Sequence, residues 1–197
     1  MRTMLPTSLG LVLLGAAALP ANAQAPVQPT TAPSATAPDA RKAMLGQDEA
    51  LGMLSVINQA EINAGKLAAS RAESAEVKEY AQAMVKEHTD NQAKLKQWKA
   101  DAEHPAAKAK MEEAKAEAAR LSALKGAAFD TAYIKAMVTD HRKALMALDE
   151  KLIPAAKDAP VKAFLQDTRT HVAAHLKQAE ALQAGAAPGG KRPSGTR

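Results

Sequence analysis

From about Gln47 onward, apolar positions recur every three to four residues, the spacing that lays a stripe along one face of an α-helix. The first stripe, Leu54, Ile57, Glu61, Ala64 and Ala68, predicts a helix over about 47–70. A tight turn follows, with Ser74 placed to cap the next helix. Val77, Ala81, Met84, His88, Asn91, Leu95 and Trp98 form that second stripe, which runs to about Glu103 and is ended by Pro105. Residues 106–124 carry a thinner stripe (Met111, Ala118, Leu121, Leu124) and read as a charged accessory helix stopped by Gly126. A third long helix over about 127–152 turns Phe129, Tyr133, Met137, His141, Leu145, Leu148 and Leu152 inward and ends at Pro154. Asp158-Ala159-Pro160 opens the fourth, proline being favourable in a first turn. Its stripe is Val161, Phe164, Thr168, His171 or Val172, His175, Ala179 and Leu182.

Four amphipathic helices of similar length predict an all-α four-helix bundle with an accessory helical segment between helices 2 and 3. The short connections make helices 1–2 and 3–4 antiparallel hairpins. No alternating Val/Ile/Thr segments appear, which argues against a β-barrel. The folded part is residues 45–184, enough for one domain with a proper core. Around it the composition changes. Residues 1–23 read as an export signal: Arg2, an apolar run from Leu5 to Leu19, and the small-x-small site Ala21-Asn22-Ala23. That run is too short and interrupted for a good membrane span. Residues 24–44, rich in Pro, Ala and Thr, predict a disordered linker, and 185–197 a disordered basic tail. The expectation is a soluble periplasmic protein. There is no cysteine, so disulfides, thiolate chemistry and a lipid-anchored cysteine are excluded.

The formal net charge of +5 does not point to nucleic acid. Arg2 falls in the signal and Lys191, Arg192 and Arg197 in the tail, and without those four positive charges +1 remains. In the folded part acids and bases alternate, as on a solvated helix face. The tail could touch an anionic envelope surface weakly.

Two segments echo each other: AMVKEH at 83–88 and AMVTDH at 136–141, 53 residues apart, with Tyr80 matching Tyr133 and Leu95 matching Leu148. The echo sets a histidine mid-way along each of two long helices. Glu61 and the His171/His175 pair stand near the middle of the other two. Antiparallel helices share a middle, so Glu61, His88, His141 and His175, with His171 as a further candidate, fall within roughly 5 Å of one level at 1.5 Å rise per residue. Buried titratable groups need partners. A divalent metal is one solution, because it takes neutral imidazole and carboxylate together. Glu87, Asp90 and Asp140, with Tyr80 and Tyr133, are placed to orient such ligands from behind. Met84 and Met137, one turn before each repeated histidine, would add a preference for copper. Zinc, copper and nickel are the candidate ions. The other reading is a histidine layer that is only hydrogen-bonded, in a structural or interaction module. No nucleophile elbow, phosphate loop or metal-hydrolase signature is present, so no catalytic residue is assigned.

The segments QAEINAGKLAA, MVKEHTDNQAKL, FDTAYIKAMVTDH and HVAAHLKQAEAL resemble the DUF4142 family of exported bacterial proteins over about residues 45–184. The resemblance implies a ferritin-like four-helix bundle, with the family pattern falling on Glu61, His88, Phe129, Asp130, Tyr133, His141 and His175; His171 is not clearly part of it. Ferritin-like folds invite a di-iron centre, which needs Glu-x-x-His on two helices. Val85, Val138 and Val172 stand three residues before His88, His141 and His175, which argues against di-iron chemistry. A role in metal handling or envelope stress is the resulting expectation.

Overall fold

The computed structural model describes residues 45–185. The expected export signal, the linker to residue 44 and the tail beyond Gly185 lie outside the described residues. The helices are α1 (Gln47–Arg71), α2 (Ala75–Leu95), α3 (Pro105–Ser122), α4 (Gly126–Ala147), a π turn (Leu148–Leu152), the single turn α5 (Ile153–Ala155) and α6 (Ala159–Gly185). They are built largely from Ala, Leu, Glu, Gln and Lys, which lose little side-chain freedom in a helix. Among the described residues there is no strand, and no helix is long and apolar enough to cross a membrane.

Hydrogen bonds at the two ends of the bundle fix the directions. Asp130, early in α4, accepts the N–H groups of Glu73 (3.1 Å) and Ser74 (2.8 Å) in the α1–α2 turn. At the other end, Gln47 Oε1 accepts the N–H groups of Lys157 and Asp158, both at 2.9 Å. α1 and α6 therefore start together and run parallel, while α2 and α4 run the opposite way. α1 packs on α2 and α4, and α6 packs on the same two. Each long helix thus has antiparallel neighbours, and α2 and α4 face each other across the bundle diagonal. α3 lies outside this ring. His104, before its first residue, sits 3.7 Å from Glu49 at the start of α1. At its last residue, Arg71 donates to Ser122 O at 2.6 Å. α3 is thus a strap running the length of α1.

Three boundaries differ from the sequence expectation. α2 stops at Leu95 rather than near Glu103. Successive three-residue hydrogen bonds (Lys96 to Ala93, Gln97 to Lys94, Trp98 to Leu95) tighten its end, and Asp101 then donates to Asp48 O at 2.7 Å. The chain crosses α1 there at Gly52, where a Cβ would stand 1.9 Å from Asp101 O. Pro105 opens α3 instead of ending α2, because its missing N–H needs no acceptor in a first turn. Pro154 does not end the third long helix at once. The π turn, with Ile153 N–H on Leu148 O, widens the spiral just ahead of it. A proline ring clashes with the carbonyl four residues back in a regular helix.

The core has two apolar parts. One gathers Ala68, Val77, Tyr80, Met84, Phe129, Tyr133, Met137 and Ala179. The other gathers Leu51, Leu54, Leu95, Leu148, Leu152, Val161, Leu165 and Val172. On all four long helices stand the buried polar residues Asn58, Glu61, His88, His141, Thr168 and His175, and all but Thr168 fall between the two apolar parts in sequence. Of the alternatives on the fourth stripe, Val172 is buried and His171 is exposed.

Candidate metal centre

The echo acquires a geometric reason at this level. α2 and α4 run parallel across the diagonal, so equal positions on them meet in successive layers. Tyr80 and Tyr133 rings lie 6.3 Å apart, and His88 and His141 rings lie 6.0 Å apart. Met84 and Met137 fill the layer between, fully buried. α6 closes the triangle with His175, whose ring is 5.3 Å from that of His88 and 5.5 Å from that of His141. One nitrogen of each ring lies within 4.8 Å of the other two, and all three histidines are buried.

The outward nitrogen of each ring is held. His88 Nδ1 contacts Asn58 Oδ1 at 3.0 Å. The amide of Asn58 donates to Asn91 Oδ1 at 2.8 Å, so its oxygen is the atom turned to the imidazole. His141 Nδ1 meets Met137 O at 2.8 Å, and His175 Nε2 meets Glu87 Oε2 at 2.7 Å. Each partner can only accept, so each imidazole carries its proton on the outer side. The other ring atoms, His88 Nε2, His141 Nε2 and His175 Nδ1, are buried and have no hydrogen-bond partner among the described residues. An unmet buried polar atom costs about 1–3 kcal/mol. Burial, followed by the neighbouring histidines, holds the pKa of His88 well below the ordinary value. Burial, helped by His175, brings His141 down to about 4, against the pull of Met137 O. The His88 and His141 imidazoles held neutral, together with the nearby His175 ring and the oriented outer N–H groups, form a donor set that fits a first-row transition ion.

The remaining predicted residues take varied places. Glu61 is buried but stands outside the three-nitrogen group, and its Oε2 also lacks a partner among the described residues. It lines a cleft of about 880 Å³ between α3 and the seam of α1 and α4. Burial, then Asp140, raises its pKa to about 8, with Lys110 pulling the other way. Asp140 is 3.6 Å from Lys110 Nζ. Asp90 is on the surface with Lys86, at 2.7 Å. His171 is half exposed, 3.4 Å from Glu87 and 3.7 Å from Asp167. Glu87 therefore meets both histidines of α6. Tyr80 donates to His175 O at 3.4 Å, while the buried Tyr133 hydroxyl has no partner among the described residues. Burial and then Glu61 push both tyrosines up.

The sequence reading missed the α1 residue that reaches the histidines, which is Asn58. It is fully buried and begins a chain in which Asn91 donates to Thr168 at 2.8 Å and Thr168 to Phe164 O at 2.9 Å. Three residues on a helix turn through about 300°, so Asn58 and Glu61 point about 60° apart, one toward α2 and the other toward α3 and α4. The available signal was Asn58 four residues after Leu54 and one turn before Glu61, on the same broad inward face.

An all-α bundle with a buried three-histidine layer is the class that the fold and the site define. The chain belongs to the DUF4142 family, a domain of unknown function, which it matches over residues 30–182. No curated protein and no solved structure matches it.

Proposed function

We propose that this is a non-catalytic, exported metal-binding protein that holds one divalent transition ion through His88 Nε2, His141 Nε2 and His175 Nδ1. The carrying observation is the set of three buried, mutually close histidines, each with one ring nitrogen held by an acceptor and the other unpartnered among the described residues. Zinc, copper and nickel all accept such imidazoles. Three protein ligands leave a position for water or an added ligand, which suits a protein that takes up and passes on an ion, as in metal handling or envelope stress. The export signal read in the first 23 residues supports a periplasmic setting. Titration calorimetry with Zn(II), Cu(II) and Ni(II) tests the proposal. One tightly bound ion per chain is expected, and its loss in a His88→Ala/His141→Ala variant. Equal and weak binding by the two proteins would refute it.

One observation favours a second reading, that of a structural or interaction module. The chain from His88 through Asn58, Asn91 and Thr168 is hydrogen-bonded end to end without any ion. It could set the register of the bundle on its own. A melting temperature that falls when a chelator is added to protein purified from its native compartment would count against that reading.

A further inference from the structure

We propose that the cleft under α3 is a binding site for a single-chain aliphatic carboxylic acid, whose chain lies along the cleft and whose carboxylate is received by Glu61 and Lys110. The site is separate from the histidine layer, since none of the three histidines lines it.

α3 has two buried residues, Ala107 near its start and Leu121 near its end. The stretch between them roofs the cleft. The lining runs from Ser55 to Ala64 on α1 and from Lys110 to Leu121 on α3, about 14–17 Å of helix at 1.5 Å rise per residue. The space of about 880 Å³ is therefore an elongated trough, of a size that holds a small organic molecule. Its apolar walls are aliphatic, with Ala60 and Ala64 from α1, Ala114 and Ala118 from α3, and Ala136 and Met137 from α4, and no aromatic ring lines it. Met111, also in the lining, is one of two large apolar side chains exposed among the described residues. Small aliphatic walls of this length match a flexible hydrocarbon chain, which gains by leaving water there.

The polar groups say what the chain ends in. The amides of the lining are paired, Gln92 donating to Ser55 Oγ at 2.8 Å and Gln59 to Asn63 Oδ1 at 3.0 Å. Glu61, at the floor, is not. It is 6% exposed, and its Oε2 is buried without a partner among the described residues. Burial, then Asp140, raises its pKa to about 8 against the pull of Lys110, so at neutral pH its carboxyl is an uncharged O–H donor. The lining then carries five Lys and Arg side chains against three ionised acids. Lys135 and Lys143, exposed at the rim on α4, form no ion pair among the described residues. Lys110 reaches in from α3, with its side chain only 19% exposed and its ammonium 3.6 Å from Asp140. An apolar trough with surplus positive charge and a buried O–H donor is complementary to an amphiphile ending in a carboxylate. Such a carboxylate accepts a charge-assisted hydrogen bond from Glu61 and shares the Lys110 ammonium with Asp140. The two carboxyls hold one proton between them, because both cannot ionise side by side. The other groups facing Glu61 are Tyr80 on α2 and Tyr133 on α4, both pushed up by burial and then by Glu61, and both neutral throughout.

Titration calorimetry of the full, chelator-treated chain with sodium dodecanoate, kept below the concentration at which it forms micelles, is the test. One molecule per chain is expected at pH 7. Dodecyltrimethylammonium, with the same chain and the opposite charge, should bind roughly tenfold or more weakly. Glu61→Leu should weaken dodecanoate binding roughly ten- to hundredfold, the worth of a hydrogen bond to a charged group. Glu61→Gln, which keeps an uncharged N–H donor, should bind as wild type does at pH 7. Above pH 8 Glu61 ionises, and wild-type affinity should fall by up to about tenfold per pH unit, a fall that the Gln variant should not show. Ala118→Trp, which fills the trough from its roof, should abolish binding. No binding of dodecanoate by wild type, equal affinity for the carboxylate and the ammonium, or wild-type affinity in both Glu61→Leu and Ala118→Trp would overturn the site. Wild-type affinity that is the same at pH 7 and pH 9 would overturn the part given to Glu61. Binding to vesicles of anionic phospholipid, with none of the monomeric acid, would assign the basic rim to a membrane surface and overturn the cleft as a site.

Discussion

At the scale of single residues, the centre is prepared from behind. His88 keeps its inner lone pair because Asn58 Oδ1 holds the outer proton, and Asn58 keeps its orientation because Asn91 accepts from its amide. Removing such a support typically weakens metal binding by about 10–100-fold. Asn58→Ala is therefore expected to lower Zn(II) affinity by that order in a competition titration with a chromophoric chelator, with the helical circular dichroism retained. Affinity equal to wild type would show that the His88 tautomer needs no support. Protons compete weakly at this site, since burial brings His141 down to about 4 and holds His88 low. An exposed imidazole begins to lose its ion as pH falls through about 6.5. Here, as far as these two ligands are concerned, Zn(II) affinity should change little between pH 7 and pH 5. A steep loss centred near pH 6.5 in the same titration would contradict the buried, neutral state.

At the scale of elements, close approach decides more than helix propensity does. Gly52 is mid-helix, and alanine there would normally gain about 1 kcal/mol. Its Cβ would stand 1.9 Å from Asp101 O and 2.7 Å from Ala102 N, both backbone atoms that cannot swing away. Overpacking of that kind costs about 1–3 kcal/mol. Gly52→Ala should thus be destabilising, read as a lower urea midpoint with little change in slope. A gain in stability would mean that the 96–104 crossing moves freely. The same crossing shows where sequence pattern loses its hold. Trp98 continues the apolar period of α2 and is partly buried, packed against Phe164 with ring centres 5.0 Å apart and planes tilted by 39°, yet it lies beyond the helix end. A period records which residues go inward and is silent on whether the backbone between them stays helical. The four stripes, the two hairpins and the inward histidines were readable for that reason. Glu61 and Asn58 were not separable, because both lie on a wide buried face whose outer part is covered by α3, and the path of α3 leaves no periodic mark on α1.

At the scale of the whole molecule, the polar layer makes stability depend on pH in two opposed ways. Stability rises with pH wherever the unfolded chain binds more protons than the folded one. His88 and His141 are held below the ordinary 6.5, so as pH falls below 6.5 the unfolded chain takes up two protons that the folded one refuses, His141 until about pH 4. Glu61 acts in the opposite sense. Its folded pKa is raised from 4.5 to about 8, so its stabilising effect is full below 4.5 and is lost as pH rises toward 8. Two protons outweigh one below pH 6.5, and Glu61 alone acts between 6.5 and 8. The metal-free protein is therefore expected to be most stable near pH 6.5, with each uncompensated proton worth up to about 1.4 kcal/mol per pH unit. Melting temperatures of chelator-treated protein from pH 4.5 to 8.5 would show the maximum. Glu61→Gln should flatten the alkaline side and steepen the acid side. His88→Gln/His141→Gln should abolish the rise, leaving a stability that falls steadily from pH 4.5 to 8. If Glu61→Gln left the alkaline side unchanged, the carboxyl at the cleft floor would be ionised in the folded protein, and the unpartnered Oε2 would carry its negative charge already matched by Lys110.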